Sequence, residues 1–248
     1  DVLFKATTHV IVGSSDPITT NGGDVVLWSR SASTENTASQ SGEGRISMGN
    51  ASSITSNGGA IILAGSSSVD ANGYPNGHTY TNTANLYAMQ FGTGTTSAPT
   101  NLTSGGGQIR VYGQSGASAA QGMANVYNGT VMTWNSGTGR QDLNILSAST
   151  VDNAVENWGP FTMSSAAVAS ASVPAVKVSI QNTNSTSTVQ PLQQQGYWHK
   201  FIASGGGDLE VTLTAARAAS YAMDNTNRLQ LSATSGAVSY THLTLPTN

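Results

Sequence analysis

The 248-residue chain has no cysteine and little charge: 9 Lys and Arg and 12 Asp and Glu make up 8% of it, for a formal net charge of −3. Without cysteine, neither a disulfide framework nor a thiolate metal site can form, so stability must come from backbone hydrogen bonds and apolar burial. Without a Lys/Arg cluster there is no footprint for a phosphate backbone, which excludes nucleic acid as a partner. No apolar run reaches the roughly 18 residues that span a bilayer. The opening DVLFKATTHVIV lacks the charged start and small-residue cleavage site of a signal peptide. It reads as the middle of a strand, as though excised from a longer protein. No stretch sustains a 3.6-residue period; the Ala-rich segments 164–172 and 214–223 lack a clean apolar stripe.

Small polar residues dominate instead, with 33 Ser, 30 Thr, 28 Gly and 20 Asn. An ordinary cytosolic domain carries about a quarter charged residues, so an intracellular enzyme is not expected. Such a composition also marks flexible linkers, but here 38% of residues are hydrophobic and fall in short alternating bursts bounded by Gly, Ser, Asn or Pro. That pattern belongs to a folding all-β chain.

A ten-residue phrase occurs four times without gaps: ITTNGGDVVL from Ile18, ITSNGGAIIL from Ile54, LTSGGGQIRV from Leu102 and IASGGGDLEV from Ile202. Its first, eighth and tenth positions are aliphatic, and its fifth and sixth are the glycine pairs Gly22–Gly23, Gly58–Gly59, Gly106–Gly107 and Gly206–Gly207. Adjacent glycines take positive φ freely, so each pair reads as a tight corner between two extended segments. The eighth and tenth residues share one strand face, while the ninth, which is Val26, Ile62, Arg110 or Glu210, tolerates water.

Identical corners superpose when successive coils stack, so the expected fold is all-β, a right-handed single-stranded parallel β-helix over residues 1–237. The copies stand 36, 48 and 100 residues apart, which leaves room for polar insertions at 31–44, 66–83 and 182–196. At roughly 20–30 residues per coil and about 4.8 Å of rise, some eight to ten coils would form a monomeric rod of roughly 40–50 Å. Inner aliphatic columns and corner columns of Ser, Thr and Asn would hold it together. Residues 147–200 read either as further coil or as a break. The last stretch, 238–248, resembles translated sequencing-adapter read-through and is expected to pack poorly.

The repeated phrase in a Cys-free, Ser/Thr/Asn/Gly-rich chain resembles the filamentous haemagglutinin-like bacterial exoproteins, most clearly over 1–146 and again at 202–213. The resemblance implies a parallel β-helix, a secreted or cell-surface location, and an adhesive role toward host or neighbouring-cell receptors or glycans. It implies no cofactor.

β-Helical lyases and hydrolases need acids gathered on one face with a base beside them; here the acids are scattered in sequence, with Asp142, Asp152 and Arg140 the closest grouping. Asp70 to Gly77 loosely resembles a calcium loop but lacks the second Asp and the terminal Glu. His9, His78, His199 and His242 show no metal spacing, and no GxSxG elbow occurs. No residue is expected to be catalytic. Tyr74, Tyr80, Tyr197 and Trp198 are the candidate ring platform for glycans, while Trp28 and Trp134 read as packing residues. A polysaccharide-degrading β-helix and a passive stalk are the competing readings.

Overall fold

The computed structural model describes residues 1–34, 43–92, 98–119, 121–125, 131–170, 172–184, 190–194, 197–216 and 228–244. The chain is a parallel β-solenoid, and among the described residues there is no helix. Three ladders run the length of the stack. Sheet A orders Val2–Lys5, Val25–Ser29, Ile61–Val69, Ile109–Ser115, Gln141–Ser147, Val176–Asn182, Leu209–Ala215 and Val238–Thr244. Sheet B contains six strands from Val10–Val12 to Leu192–Gln194, and sheet C seven from Pro17–Thr19 to Arg228–Ala233. Each coil passes from A to B to C, and six coils place a described strand in all three.

Every pairing along these ladders is parallel. In sheet A the inward column Val25, Ile61, Ile109, Gln141, Val176, Leu209 shows coils of 36, 48, 32, 35 and 33 residues. A coil therefore uses more chain than the 20–30 residues expected, and the stack is shorter than eight to ten coils. Among the described residues of 147–200 the ladders continue, with Val155–Asn157, Phe161–Ser165, Val176–Asn182, Leu192–Gln194 and Trp198–Ala203 all in register.

The core is one cluster drawn from all three sheets, including Leu27, Leu63, Val111, Leu143, Val178 and Val211 from sheet A. An aromatic column runs through it: Trp134 lies 5.4 Å from Phe91 and 4.7 Å from Phe161, and Phe161 lies 5.9 Å from Phe201. The Ala-rich stretch 164–172 begins in sheet C, and its described residues 166–170 and 172 lie in the corner between sheets C and A; residues 217–223 of the second Ala-rich stretch lie outside the described set.

The glycine pairs sit at the C-to-A corners, and their two members do different jobs. Gly22, Gly58 and Gly206 have φ of 89°, 122° and 93°, whereas in the third copy the left-handed residue is Gly105, at 71°, one place before the pair. Gly23, Gly59 and Gly107 do not have positive φ; they stand where one coil lies against the next. A Cβ on Gly59 would overlap the carbonyl of Gly23, and one on Gly107 the carbonyl of Gly59. Gly139 and Gly236 continue this column at two corners the repeat search missed, against the carbonyls of Gly107 and Gly207.

Beside the column runs a ladder of hydroxyls. Thr20, Ser56, Ser104 and Ser136 each donate to the carbonyl three residues on, at Gly23, Gly59, Gly107 and Gly139. The first three are the same carbonyls against which Gly59, Gly107 and Gly139 pack, so each of those corners is closed locally and stacked at one point. The fourth copy breaks step: Leu102, Trp134, Met163 and Phe201 share a column, and Ile202 pairs with Ser164 instead. Phe201, not Ile202, is therefore the core residue at that corner.

The last stretch carries a strand: Val238–Thr244 pairs in register with Leu209–Ala215, where VSYTHLT, rich in β-branched and aromatic residues, meets an open sheet edge. Val238 and Tyr240 face inward but remain 46% and 44% exposed, and residues 245–248 lie outside the described set. The insertion at 66–83 is also paired. Pro75–Gly77 runs antiparallel to Ile61–Val69, and Thr79–Thr81 parallel to Ile109–Ser115, so the insertion folds back onto sheet A.

Candidate functional site

Register explains why the outer face of sheet A differs from the others. One outward column reads Leu3, Val26, Ile62, Arg110, Asp142, Lys177, Glu210, Ser239. Its first part is apolar and is covered by the insertion: Val26, Trp28, Ile62 and Ala64 form a second small core with Tyr74 and Tyr112 packed on it. Its second part alternates in sign coil by coil, the arrangement that adjacent strands favour. Charge that is sparse in the whole chain is thus concentrated on one face.

Where the halves meet, a polar network pins the insertion. Asp70 pairs with Arg110 at 2.8 Å and accepts the backbone N–H groups of Asn72 and Tyr74 at 2.9 and 3.1 Å. Partial burial works against its charge, but the Arg110 guanidinium and these donors hold its carboxyl below the usual range. The Tyr74 hydroxyl donates to Asp24, which, together with burial, pushes Tyr74 up to about 12. Tyr112 donates to Asp142, and burial followed by that carboxylate raises its titration further. The loop compared above with a calcium site is therefore an Asx-type turn clamped by an arginine. Asp24 also accepts the Ala60 N–H at 2.7 Å and Asp208 that of Ala237 at 2.8 Å, so the acid after each of these glycine pairs secures the following coil.

Asp142 and Asp152 do not form a pair: Asp142 lies on sheet A, while Asp152 lies in the turn before sheet B, where burial raises its carboxyl. Among the described residues no group of three His, Asp or Glu side chains converges as a metal set, and no helix is long and apolar enough to cross a membrane.

The four predicted aromatic residues are not brought together. Tyr80 is buried, with the Arg30 guanidinium 5.2 Å from its ring centre, and Tyr74 is committed to the insertion. Tyr80 is therefore not presented for stacking, while Tyr74, partly buried, packs on the apolar outer face of sheet A. Tyr197 is half-buried, and Trp198 is 46% exposed beside Arg228. Sequence reading overlooked Trp158, 39% exposed, whose indole N–H donates to Glu156 at 2.8 Å. It occupies the B-to-C corner of one coil; in the next coil Tyr197 closes that corner and Trp198 opens the sheet C strand. Its isolated NWGP context gave no repeat signal, although a Trp held between Asn and Gly-Pro is itself a corner signature.

Arg30 joins two insertions. It is fully buried at φ 52°, and it donates to the His78 carbonyl at 3.0 Å while Gly44 bridges Tyr80. Arg30→Lys keeps the charge but loses the planar fork. A loss of about 2 kcal/mol is expected in urea unfolding followed by circular dichroism.

Comparison with known proteins finds no matching family model, no matching curated protein and no matching solved structure.

Proposed function

We propose that this chain is a contact segment of an extracellular bacterial adhesin, in which the solenoid supplies length and its corners and sheet A supply binding surface for glycans of a host or neighbouring cell. The observation that carries the reading is the pair of exposed indoles, Trp158 and Trp198, at and beside one corner of consecutive coils, in a chain whose other described tryptophans, Trp28 and Trp134, are buried. Exposed indoles present flat apolar faces on which sugar rings stack. The Cys-free, charge-poor composition and the resemblance of the repeated phrase support the same reading.

The double variant Trp158→Ala/Trp198→Ala is expected to bind at least tenfold more weakly on a glycan array and in a cell-adherence assay, with its melting temperature unchanged. Undiminished binding by the variant would remove the corner from the argument, and a blank result with the native chain would leave a passive stalk. The catalytic reading has one observation in its favour, since Asp24, Asp70 and Asp142 gather with Arg110 on one face. Each of those carboxylates is already engaged, by Tyr74, Arg110 and Tyr112 respectively, which favours binding over turnover.

A further inference from the structure

Along the C-to-A edge most corners are short, but the coil through Phe161–Ser165 takes residues 166–175 to reach sheet A. The extra chain forms a ridge whose Val168 and Val173 are 70% and 48% exposed. Between the ridge and the preceding corners lies a cleft of about 360 Å³, lined among others by Gln108, Thr138, Arg140, Asp142, Pro174 and Lys177. That volume is at the small end for ligand clefts, suited to a saccharide unit and too small for a protein element.

Arg140, Lys177 and Asp142 line this space, with Glu210 paired to Lys177 beside it, so two cationic donors converge here in a chain of net charge −3. The Arg140 guanidinium donates to the carbonyls of Val173 and Val168, fixing the ridge, and with five N–H groups it retains donors for a ligand. Lys177 is Asp142's register neighbour; its ammonium lies 3.8 Å from Glu210 with the side chain 45% exposed, a loose pair that a better anion can displace. Asp142 accepts the Tyr112 hydroxyl, which fixes the carboxylate's orientation. Val173 and Pro174 form an apolar wall opposite.

We propose that this cleft binds a carboxylated sugar residue of an acidic polysaccharide. The carboxylate sits between Arg140 and Lys177, ring hydroxyls donate to Asp142 and pair with Gln108 and Thr138, and the C–H face of the ring lies on Val173 and Pro174. Asp142 is the discriminating group: it accepts from sugar hydroxyls but repels a compact, doubly charged anion such as phosphate. The inference rests on the adhesive reading only in taking a polysaccharide as ligand, and it concerns a different face from the one that carries Trp158 and Trp198.

The test is calorimetric titration of the whole chain with a glucuronic acid oligomer, its neutral glucose counterpart and inorganic phosphate. The expected result is saturable binding of the acidic oligomer, at least tenfold weaker binding of the neutral one, and no competition by phosphate at equal concentration. Lys177→Gln, at an exposed position that leaves the fold intact, is expected to weaken the acidic oligomer at least tenfold and flatten its salt dependence. Asp142→Asn is expected to weaken it while admitting phosphate. Equal affinity for the neutral oligomer, displacement by phosphate from the native chain, no binding, or an unaffected Lys177→Gln would each overturn the assignment. The Trp158→Ala/Trp198→Ala chain should still bind here, so indole-dependent adherence without acidic-oligomer binding would sink the cleft and spare the corner.

Discussion

Replacing Gly107 with alanine is expected to destabilise the chain by about 4 kcal/mol or more, whereas Gly105→Asn, two residues earlier in the same corner, is expected to cost less than about 1 kcal/mol. The contrast separates two reasons for glycine. At Gly107 the backbone is not left-handed, but a methyl group would overlap the Gly59 carbonyl and its carbon, which are main-chain atoms held by the Ser56 hydroxyl and by the ladder on both sides. Nothing there can rotate away, so relief requires two coils to separate, and ordinary overpacking costs of 1–3 kcal/mol become a lower bound. At Gly105 the backbone is left-handed, but a Cβ would lie 3.4 Å from the nearest atoms of Asn57 and Gly58, which is ordinary contact, and asparagine tolerates this region. Urea midpoints followed by circular dichroism decide it. If the two variants lose similar stability, the glycines serve only turn geometry and coil-to-coil approach is not what selects them.

The same contrast shows what the sequence made legible. The phrase at Ile18, Ile54 and Leu102 was readable because three coils share one corner length, and the aliphatic eighth and tenth positions then stack without a slip. The corner at Trp134–Gln141 was missed because Thr138 replaces the first glycine and Gln141 occupies the aliphatic column; Gly139 alone keeps the close approach. Gln141 is tolerated there because its amide donates to the Trp134 carbonyl at 3.0 Å and to that of Ser164, so a polar residue fills an apolar column by reaching back to the main chain. The offset at Phe201 was invisible because IASGGG keeps the aliphatic first position and the glycines of the phrase, while its own corner takes eight residues from Phe201 to Leu209 against seven from Leu102 to Ile109.

The candidate site was less legible than the fold. Arg110, Asp142, Lys177 and Glu210 are 32, 35 and 33 residues apart, and only the coil length brings them into one column. Tyr74 and Tyr80 looked like surface rings because their segment is Asn- and Gly-rich. Tyr74 packs on the apolar outward residues Val26, Ile62 and Ala64, which imply a cover that sequence proximity does not identify, and Tyr80 is buried with its ring facing Arg30. An apolar ninth position in a repeat whose other copies carry Arg and Glu there was the available signal that those two coils are covered.

Acidification should expose the cost of His199. The residue points into the core from sheet C, in a column with Met132, Phe161 and Leu229, and its Nε2 lies 2.6 Å from the Asn157 amide nitrogen, from which it accepts. Burial pushes its titration from the ordinary 6.5 down to about 3. Above pH 6.5 the imidazole is neutral in both the folded and unfolded chains and adds no pH dependence. Between 6.5 and 3 the unfolded chain takes up a proton that the folded one refuses, so stability falls as pH falls, by about 3 kcal/mol at pH 4 and of order 5 kcal/mol in full. His199→Leu removes that term. It also strands the Asn157 amide at a pH-independent cost of about 1 kcal/mol, so the variant should be the weaker protein at pH 7 and the stronger at pH 4. Comparing variant with native chain cancels the carboxylates, which titrate alike in both. Unfolding curves that keep a constant separation from pH 7 to pH 4 would mean that the buried ring is protonated in place, and the dry core assigned to this part of the solenoid would have to admit water.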